Sequence, residues 1–109
     1  MADRSPSPPA CPVYLAGSLA ARYAQLAPEL VKLGTLDALN VDTAGKYILA
    51  ENEYLKVSAL VQESVTRGDG DEAAKWIGVQ DKLTKQILTL GAELGITPSA
   101  RRARGLPVK

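Results

Sequence analysis

The basic C-terminal end of the chain holds the side chains best suited to binding an anion. Residues 95–109 contain Arg101, Arg102, Arg104 and Lys109 and no acidic residue. Clustered cations of this kind contact phosphate, so the pattern predicts binding of nucleic acid or of another acidic partner. The alternative for an isolated run of charge is a solvated terminus that binds nothing.

The rest of the chain has the opposite net charge. The whole protein has 13 basic and 12 acidic residues and a formal net charge of +1. Without the four cations of residues 95–109, nine basic residues face twelve acidic ones, a net charge of −3. This separation is typical of a domain that assembles through its body and presents its end to an anion.

The sequence contains no arrangement of side chains typical of an enzyme. There is no histidine, and Cys11 is the single cysteine, which excludes an internal disulfide and a conventional zinc site. Glycine-rich phosphate loops and nucleophile motifs are missing too. Glu51 and Glu53 are two residues apart and point to different sides of a helix. We therefore expect a non-catalytic protein that needs no metal and no cofactor.

The composition predicts a thin helical domain that associates with itself. Of the 109 residues 46% are hydrophobic, but there is no Phe, one Trp and four Tyr. Because few aromatics give a small core, we expect copies of the chain to cover the remaining apolar surface. No run of about 18 apolar residues is present. We expect a soluble protein of a reducing compartment that does not enter a membrane.

Changes in composition divide the chain into three parts. Residues 1–12 contain four prolines and predict a flexible or extended arm. Residues 13–94 predict a helical oligomerisation domain, and residues 95–109 form the basic tail. Gly95 is expected to end the last helix, and Pro98 prevents its continuation.

The first predicted helix begins at Ser18, a residue suited to capping, and ends at Gly34. Its apolar residues repeat at steps of three and four, which is typical of one buried stripe. Pro28 lies within that stripe, where it removes one backbone hydrogen bond and disfavours helical backbone at Ala27. We therefore expect this helix to be kinked or split near Ala27.

The second predicted helix, over residues 41–66, follows a short connection in which Asp37 and Asn40 can both act as caps. Its apolar positions form two adjoining rows, which are wider than one neighbouring helix covers. The rows are Ala44, Ile48, Leu55 and Ala59, and Tyr47, Ala50, Tyr54, Val57, Val61 and Val65. We expect one row to face the same chain and the other a neighbouring subunit. The connection has the spacing of a helix-turn-helix, but only Lys46 is basic near the helix start, which does not favour base recognition.

A turn rich in glycine and aspartate, residues 67–71, leads into a third predicted helix over residues 71–94, with Asp71 as its expected cap. Its apolar seam is Trp76, Val79, Leu83, Ile87, Leu90 and Leu94. Packing of this seam on the second helix predicts a long antiparallel hairpin. The residues expected in the core or at a subunit interface are Tyr47, Tyr54, Val61, Trp76, Leu83, Ile87 and Leu90.

The ending of the third helix and the start of the tail, LGITPSARRAR over residues 94–104, resembles the LG-[LI]-TP-x-x-R-x-R ending of one family of phage terminase small subunits. The segment PELVKLGTL at residues 28–36 and the long tyrosine-containing helix after it follow the layout of that family, so the resemblance covers residues 12–104. Members of the family often have an extended, proline-containing segment between the second and third helices. This chain has the tight RGDGD turn there.

The resemblance implies an all-α protein that assembles as a ring-shaped homo-oligomer. It implies that the protein recognises double-stranded viral DNA and regulates the ATPase and nuclease of the large terminase subunit during genome packaging. Its expected location is the cytoplasm of the infected bacterial host. The residues leave one alternative open, a helical adaptor that binds only other proteins.

Overall fold

The chain folds into three α-helices in a computed structural model that describes residues 7–96. The helices are α1 (Ser18–Leu33), α2 (Val41–Thr66) and α3 (Gly70–Glu93). No strand is present within the described residues. The predicted all-α class is therefore confirmed, and the bounds of α2 are those expected from the sequence.

The ends of α1 show which residues begin and stop the helix. Gly34 adopts a left-handed conformation with φ 77°, and its N–H bonds to the helix carbonyls behind it. Gly34 therefore ends α1 as predicted. The predicted Ser18 cap is wrong, because Gly17 occupies the cap position without a side-chain bond and Ser18 is already helical. Helical backbone continues through Pro28, so α1 is not split at Ala27.

Side-chain bonds fix the connection between α1 and α2. Asp37 accepts hydrogen bonds from the backbone N–H groups of Leu39 at 2.8 Å and Asn40 at 3.1 Å. Asn40 in turn accepts one from the Asp37 N–H at 2.8 Å and donates to the Thr35 carbonyl at 2.6 Å. Asn40 occupies the cap position of α2, but its side chain bonds back into the connection and not forward into the helix.

The turn between α2 and α3 is capped by a different aspartate from the predicted one. Asp69 occupies the cap position of α3, and its carboxylate accepts a hydrogen bond from the Glu72 N–H at 3.0 Å. The predicted cap, Asp71, lies within the first turn of the helix. The helix begins at Gly70 because the backbone of Asp69, with φ −93° and ψ 86°, leaves the helical conformation.

Helices α2 and α3 run side by side in opposite directions. The Gln80 amide donates to the Ser58 hydroxyl at 2.8 Å. Further along, a Cβ added to Gly91 would lie 3.5 Å from the Tyr47 ring. In both pairs the residue numbers add up to 138, so one antiparallel register holds along the contact.

The core lies where α1, the first half of α2 and the end of α3 meet. Its buried members are Leu15, Tyr23, Ala27, Leu30, Leu36, Ala44, Tyr47, Ile48 and Leu94. Both predicted rows of α2 contribute to it, since Ile48 is 1% exposed and Tyr47 is 8% exposed. The expected division into one row for the chain and one for a neighbour is therefore wrong over this half of α2. Leu55, further along the first row, is 65% exposed.

The segment before α1 packs on the helices, and we call residues 9–15 the N-terminal strap. The Tyr23 hydroxyl donates to the carbonyl of Pro9, and the side chain of Leu15 is buried. The Tyr14 hydroxyl donates to Asp42 at 2.9 Å. Its ring lies against Gly45, where an added Cβ would come within 2.3 Å of the hydroxyl oxygen. The absence of a side chain at Gly45 thus makes room for the strap.

No helix within residues 7–96 combines the length and hydrophobicity needed to cross a membrane.

Candidate nucleic-acid and subunit interface

The predicted phosphate-binding residues Arg101, Arg102, Arg104 and Lys109 lie outside the described residues. The structure shows the point from which that part of the chain continues. Leu94 is fully buried, and the Ile96 N–H bonds back to the Gly91 carbonyl at 2.9 Å. Gly95 has φ 69°, so the predicted glycine stop of the last helix is confirmed.

Arg22 is one of the cations of the helical body, and it binds an acidic partner across two helices. Its guanidinium on α1 donates to the two carboxylate oxygens of Glu51 on α2 at 2.9 and 3.3 Å. Hydrogen bonding to Glu51 raises the pKa of Arg22, despite the opposing effect of burial. The pair fixes α1 on α2, and its charge is already balanced before any ligand binds.

Other cations of the body also have partners on the same or a neighbouring helix. The ion pairs are Lys32 with Glu29 at 3.7 Å, Lys56 with Glu53 at 3.8 Å, and Arg67 with Glu63 at 3.1 Å and with Glu72. The ammonium group of Lys75 lies 5.2 Å from the centre of the Trp76 ring. The cations in ion pairs lie on different parts of the chain and each already faces a carboxylate, so they do not form a phosphate-binding patch.

The start of α2 lacks the chemistry of a DNA-recognition helix. Its first turn carries Asp42, whose carboxylate accepts the hydrogen bond from Tyr14. Burial, together with that hydrogen bond, raises the pKa of Tyr14, so the phenol stays a donor. Lys46 is exposed one turn later. A carboxylate at this position repels DNA phosphate, so the helix-turn-helix interpretation of this connection finds no support here.

The seven residues predicted for the core or a subunit interface differ in burial. Tyr47 is buried in the core, where burial and the nearby Glu51 carboxylate raise its pKa. Ile87 and Leu90 are partly buried and pack against the same core. The remaining four are also partly buried: Tyr54, Val61, Trp76 and Leu83. The Trp76 indole N–H donates to Glu72 at 3.4 Å.

Four large apolar side chains outside the seven predicted core or interface residues are exposed on α2 and α3. Leu55 and Val65 are 65% and 63% exposed, and Ile77 and Leu88 are 43% and 57% exposed. The signal that identifies them is their spacing. Leu55 and Val65 are ten residues apart on α2, and Ile77 and Leu88 are eleven apart on α3, each close to three helical turns.

The family comparison covers most of the chain. Residues 20–107 match the family model described as phage terminase, small subunit. No curated protein and no solved structure gives a significant match. The matched region includes nearly all of α1, the whole of α2 and α3, and the sequence positions of the arginine cluster. The chain belongs to the family of phage terminase small subunits.

Proposed function

We propose that this protein recognises viral DNA and regulates the large terminase subunit while a phage genome is packaged, and that it catalyses no reaction itself. The observation that carries the proposal is the family match over residues 20–107. That region contains both the helical body and Arg101, Arg102 and Arg104. The partners are double-stranded viral DNA and the large subunit, in the cytoplasm of the bacterial host.

The distribution of charge assigns DNA binding to the basic tail and not to the helical body. In the body, ion pairs such as Arg22 with Glu51 hold some of the cations, and acidic residues outnumber basic ones by three, so the body as a whole attracts phosphate weakly. The sequence after Gly95 has cations and no acidic residue. We therefore assign the DNA contact to Arg101, Arg102 and Arg104, and we assign it to the phosphate backbone, which is what clustered cations contact first.

The helical body is the assembling part of the protein in this proposal. A kinked α1 followed by the α2–α3 hairpin is the unit, and copies of it build a ring-shaped homo-oligomer. The burial of α3 supports this role, because only two of the 24 residues of this helix, Ala73 and Gly91, are buried. A helix with so few buried residues leaves apolar surface for neighbouring copies to cover.

The DNA contact is tested by changing Arg101, Arg102 and Arg104 together to Ala and measuring affinity for duplex DNA over a range of salt concentrations. Each lost phosphate contact lowers the steepness of log affinity against log salt by about 0.9, so three contacts lower it by about 2.7 per copy. The matched control changes Lys75, Lys82 and Lys85 on α3 to Ala, which removes the same charge from the body.

The expected result is weaker binding and a flatter salt dependence in the tail variant, with little change in the control. Equal loss in both variants would mean that net charge alone drives binding. Unchanged binding in the tail variant would exclude the tail as the DNA contact. A wild-type protein that is not retained on duplex DNA even at about 50 mM salt, where cationic contacts are strongest, would instead favour the protein-binding adaptor.

A further inference from the structure

One side of α3 carries a row of residues that points away from α2, and we call it the outward row. Its positions follow each other at steps of three or four residues, which keeps them on one side of the helix. All seven residues are exposed: Asp71, Lys75, Gly78, Lys82, Lys85, Thr89 and Glu93. The buried residues of the helix, Ala73 and Gly91, are each nine positions from Lys82, about two and a half turns. Lys82 therefore lies on the side of α3 opposite to the buried one.

The three lysines of the outward row have no acidic partner. Within residues 7–96 no carboxylate forms an ion pair with Lys75, Lys82 or Lys85. The ammonium group of Lys75 lies 5.2 Å from the centre of the Trp76 ring. Lys75 and Lys85 are ten residues apart, so the three charges follow α3 for about 15 Å. The other helices differ, because several of their cations are paired with carboxylates: Arg22, Lys32, Lys56 and Arg67.

Gly78 lies between Lys75 and Lys82, and no contact within the chain accounts for it. A glycine inside a helix lowers helix stability relative to alanine and usually has a packing reason. At Gly45 that reason is the Tyr14 ring. A Cβ added to Gly78 would meet no side chain and no neighbouring helix within 4 Å. The missing side chain at Gly78 leaves room for another molecule to approach the backbone of α3.

The carboxylates near the lysines limit the kind of anion that the outward row accepts. Asp71 and Glu93 close the row at its two ends, and Asp81 directly precedes Lys82. Duplex DNA carries about one charge per 1.7 Å of its axis, so a duplex lying along α3 would meet these carboxylates as well as the lysines. An acidic patch of about 15 Å meets the lysines alone. The row is therefore better suited to an acidic protein surface than to nucleic acid.

We propose that the outward row binds an acidic surface of the large terminase subunit. Carboxylates of that surface face Lys75, Lys82 and Lys85, and its closest approach to α3 is at Gly78. The proposal rests on the proposed function, which supplies the large subunit as a partner, and it adds the part of the chain that holds this partner. DNA is held elsewhere, by the arginines of the tail. One copy can therefore hold both partners at the same time.

The first test measures binding of the full-length protein to the purified large subunit of the same phage. One variant changes Lys75, Lys82 and Lys85 together to Ala, the change that serves as the control for DNA binding. Three exposed ion pairs together are expected to be worth about tenfold in affinity, and their contribution should shrink as salt is added. Changing the same three residues to Arg keeps the charge and should retain most of the binding.

The matched control removes the same charge from other exposed positions. It changes Lys32 on α1 and Lys46 and Lys56 on α2 to Ala. Its affinity for the large subunit should stay within about twofold of the wild type, because these lysines lie outside the proposed contact. Affinity for duplex DNA is measured for every variant, and it should depend on the tail arginines and not on the outward row.

Gly78 gives a second test that does not change any charge. Gly78→Leu fills the space at the proposed closest approach and should lower affinity for the large subunit about tenfold or more at unchanged helix content. Ala59→Leu adds bulk at an exposed position of α2 and is the control. Gly78→Ala should raise Tm and still weaken binding, and damage to the fold cannot produce that combination.

Three results would overturn the proposed contact while the wild type still binds the large subunit. The first is equal affinity for the large subunit in the outward-row variant and its matched control. The second is loss of DNA binding in the outward-row variant with large-subunit binding intact, which would assign the row to DNA. The third is a changed copy number in native mass spectrometry, which would place the row between copies. A wild type that binds neither DNA nor the large subunit would refute the proposed function and this contact with it.

Discussion

Gly45 allows a sharp test of how the N-terminal strap is held. In an open helix Gly→Ala stabilises by about 0.5–1 kcal/mol, because it restricts the unfolded chain. At Gly45 the added Cβ would lie 2.3 Å from the Tyr14 hydroxyl oxygen, so the ring must move away and its bond to Asp42 is lost. A hydrogen bond to a charged group contributes about 1.5–3 kcal/mol, and partial exposure places this one at the lower end. We expect Gly45→Ala to destabilise the fold by about 1 kcal/mol.

The assay is thermal unfolding at one fixed protein concentration, because association stabilises the folded chain. A change of about 1 kcal/mol shifts Tm by roughly 4–8 °C in a domain of this size. Gly78→Ala on α3 is the control, since the added Cβ would meet no side chain or neighbouring helix within 4 Å, and it should raise Tm. In a Tyr14→Ala background Gly45→Ala should become stabilising too. If Gly45→Ala raises the wild-type Tm as much as Gly78→Ala does, the strap does not occupy this position.

Two further predictions concern the turn and the tyrosines. Asp69→Ala should lower the free energy of unfolding by about 0.5–2 kcal/mol through loss of the α3 cap, and Asp71→Ala by clearly less, as measured by urea unfolding. Burial raises the pKa of Tyr23 and Tyr47 above the ordinary value of 10.0. Folded chains therefore hold these protons more tightly, so the contribution of these two groups to stability should be constant below about pH 10 and fall above it. Tyr23→Phe should make that fall shallower in unfolding curves at pH 8 and 10.5, and an unchanged slope would count against the shift.

The bounds of the helices were predictable because local signals specify them. Asn40 and the turn after Thr66 limit α2 to the predicted residues, and Gly34 and Gly95 adopt the left-handed backbone that ends a helix. The cap of α3 was not predictable in the same way. Asp69 and Asp71 are both capping residues in a glycine-rich turn, and only the backbone angles of the folded turn decide between them.

Packing was harder to predict than helix bounds. Periodicity shows which residues share a stripe, but not how far a neighbouring helix extends. In the structure this row is buried at Ala44 and Ile48, while Leu55 is 65% exposed, so one predicted row is buried at one end and exposed at the other. The strap was missed although the sequence contained a signal for it. Gly45 in the middle of a helix lowers helix stability, and such a glycine usually has a packing reason.

Part of the candidate site could be predicted from residue types alone, and part required the folded structure. The arginine cluster was recognised from residue types and from a motif, neither of which needs a folded structure, and its role in binding DNA stays a prediction. The relative register of α2 and α3 is visible only once the Ser58–Gln80 and Tyr47–Gly91 pairs are known. Sequence alone identified the seam of α3 and could not relate Ile77 and Leu88 to Leu55.

DNA binding in the proposed function depends on the number of tails in one particle. One copy brings three arginines to DNA, and three phosphate contacts give only weak, strongly salt-dependent binding. Copies joined through their helices bring several tails to one duplex, and the later contacts then form at a high effective concentration. A body with a net negative charge suits this arrangement, because DNA then binds at the tails and does not compete for the faces that hold the copies together.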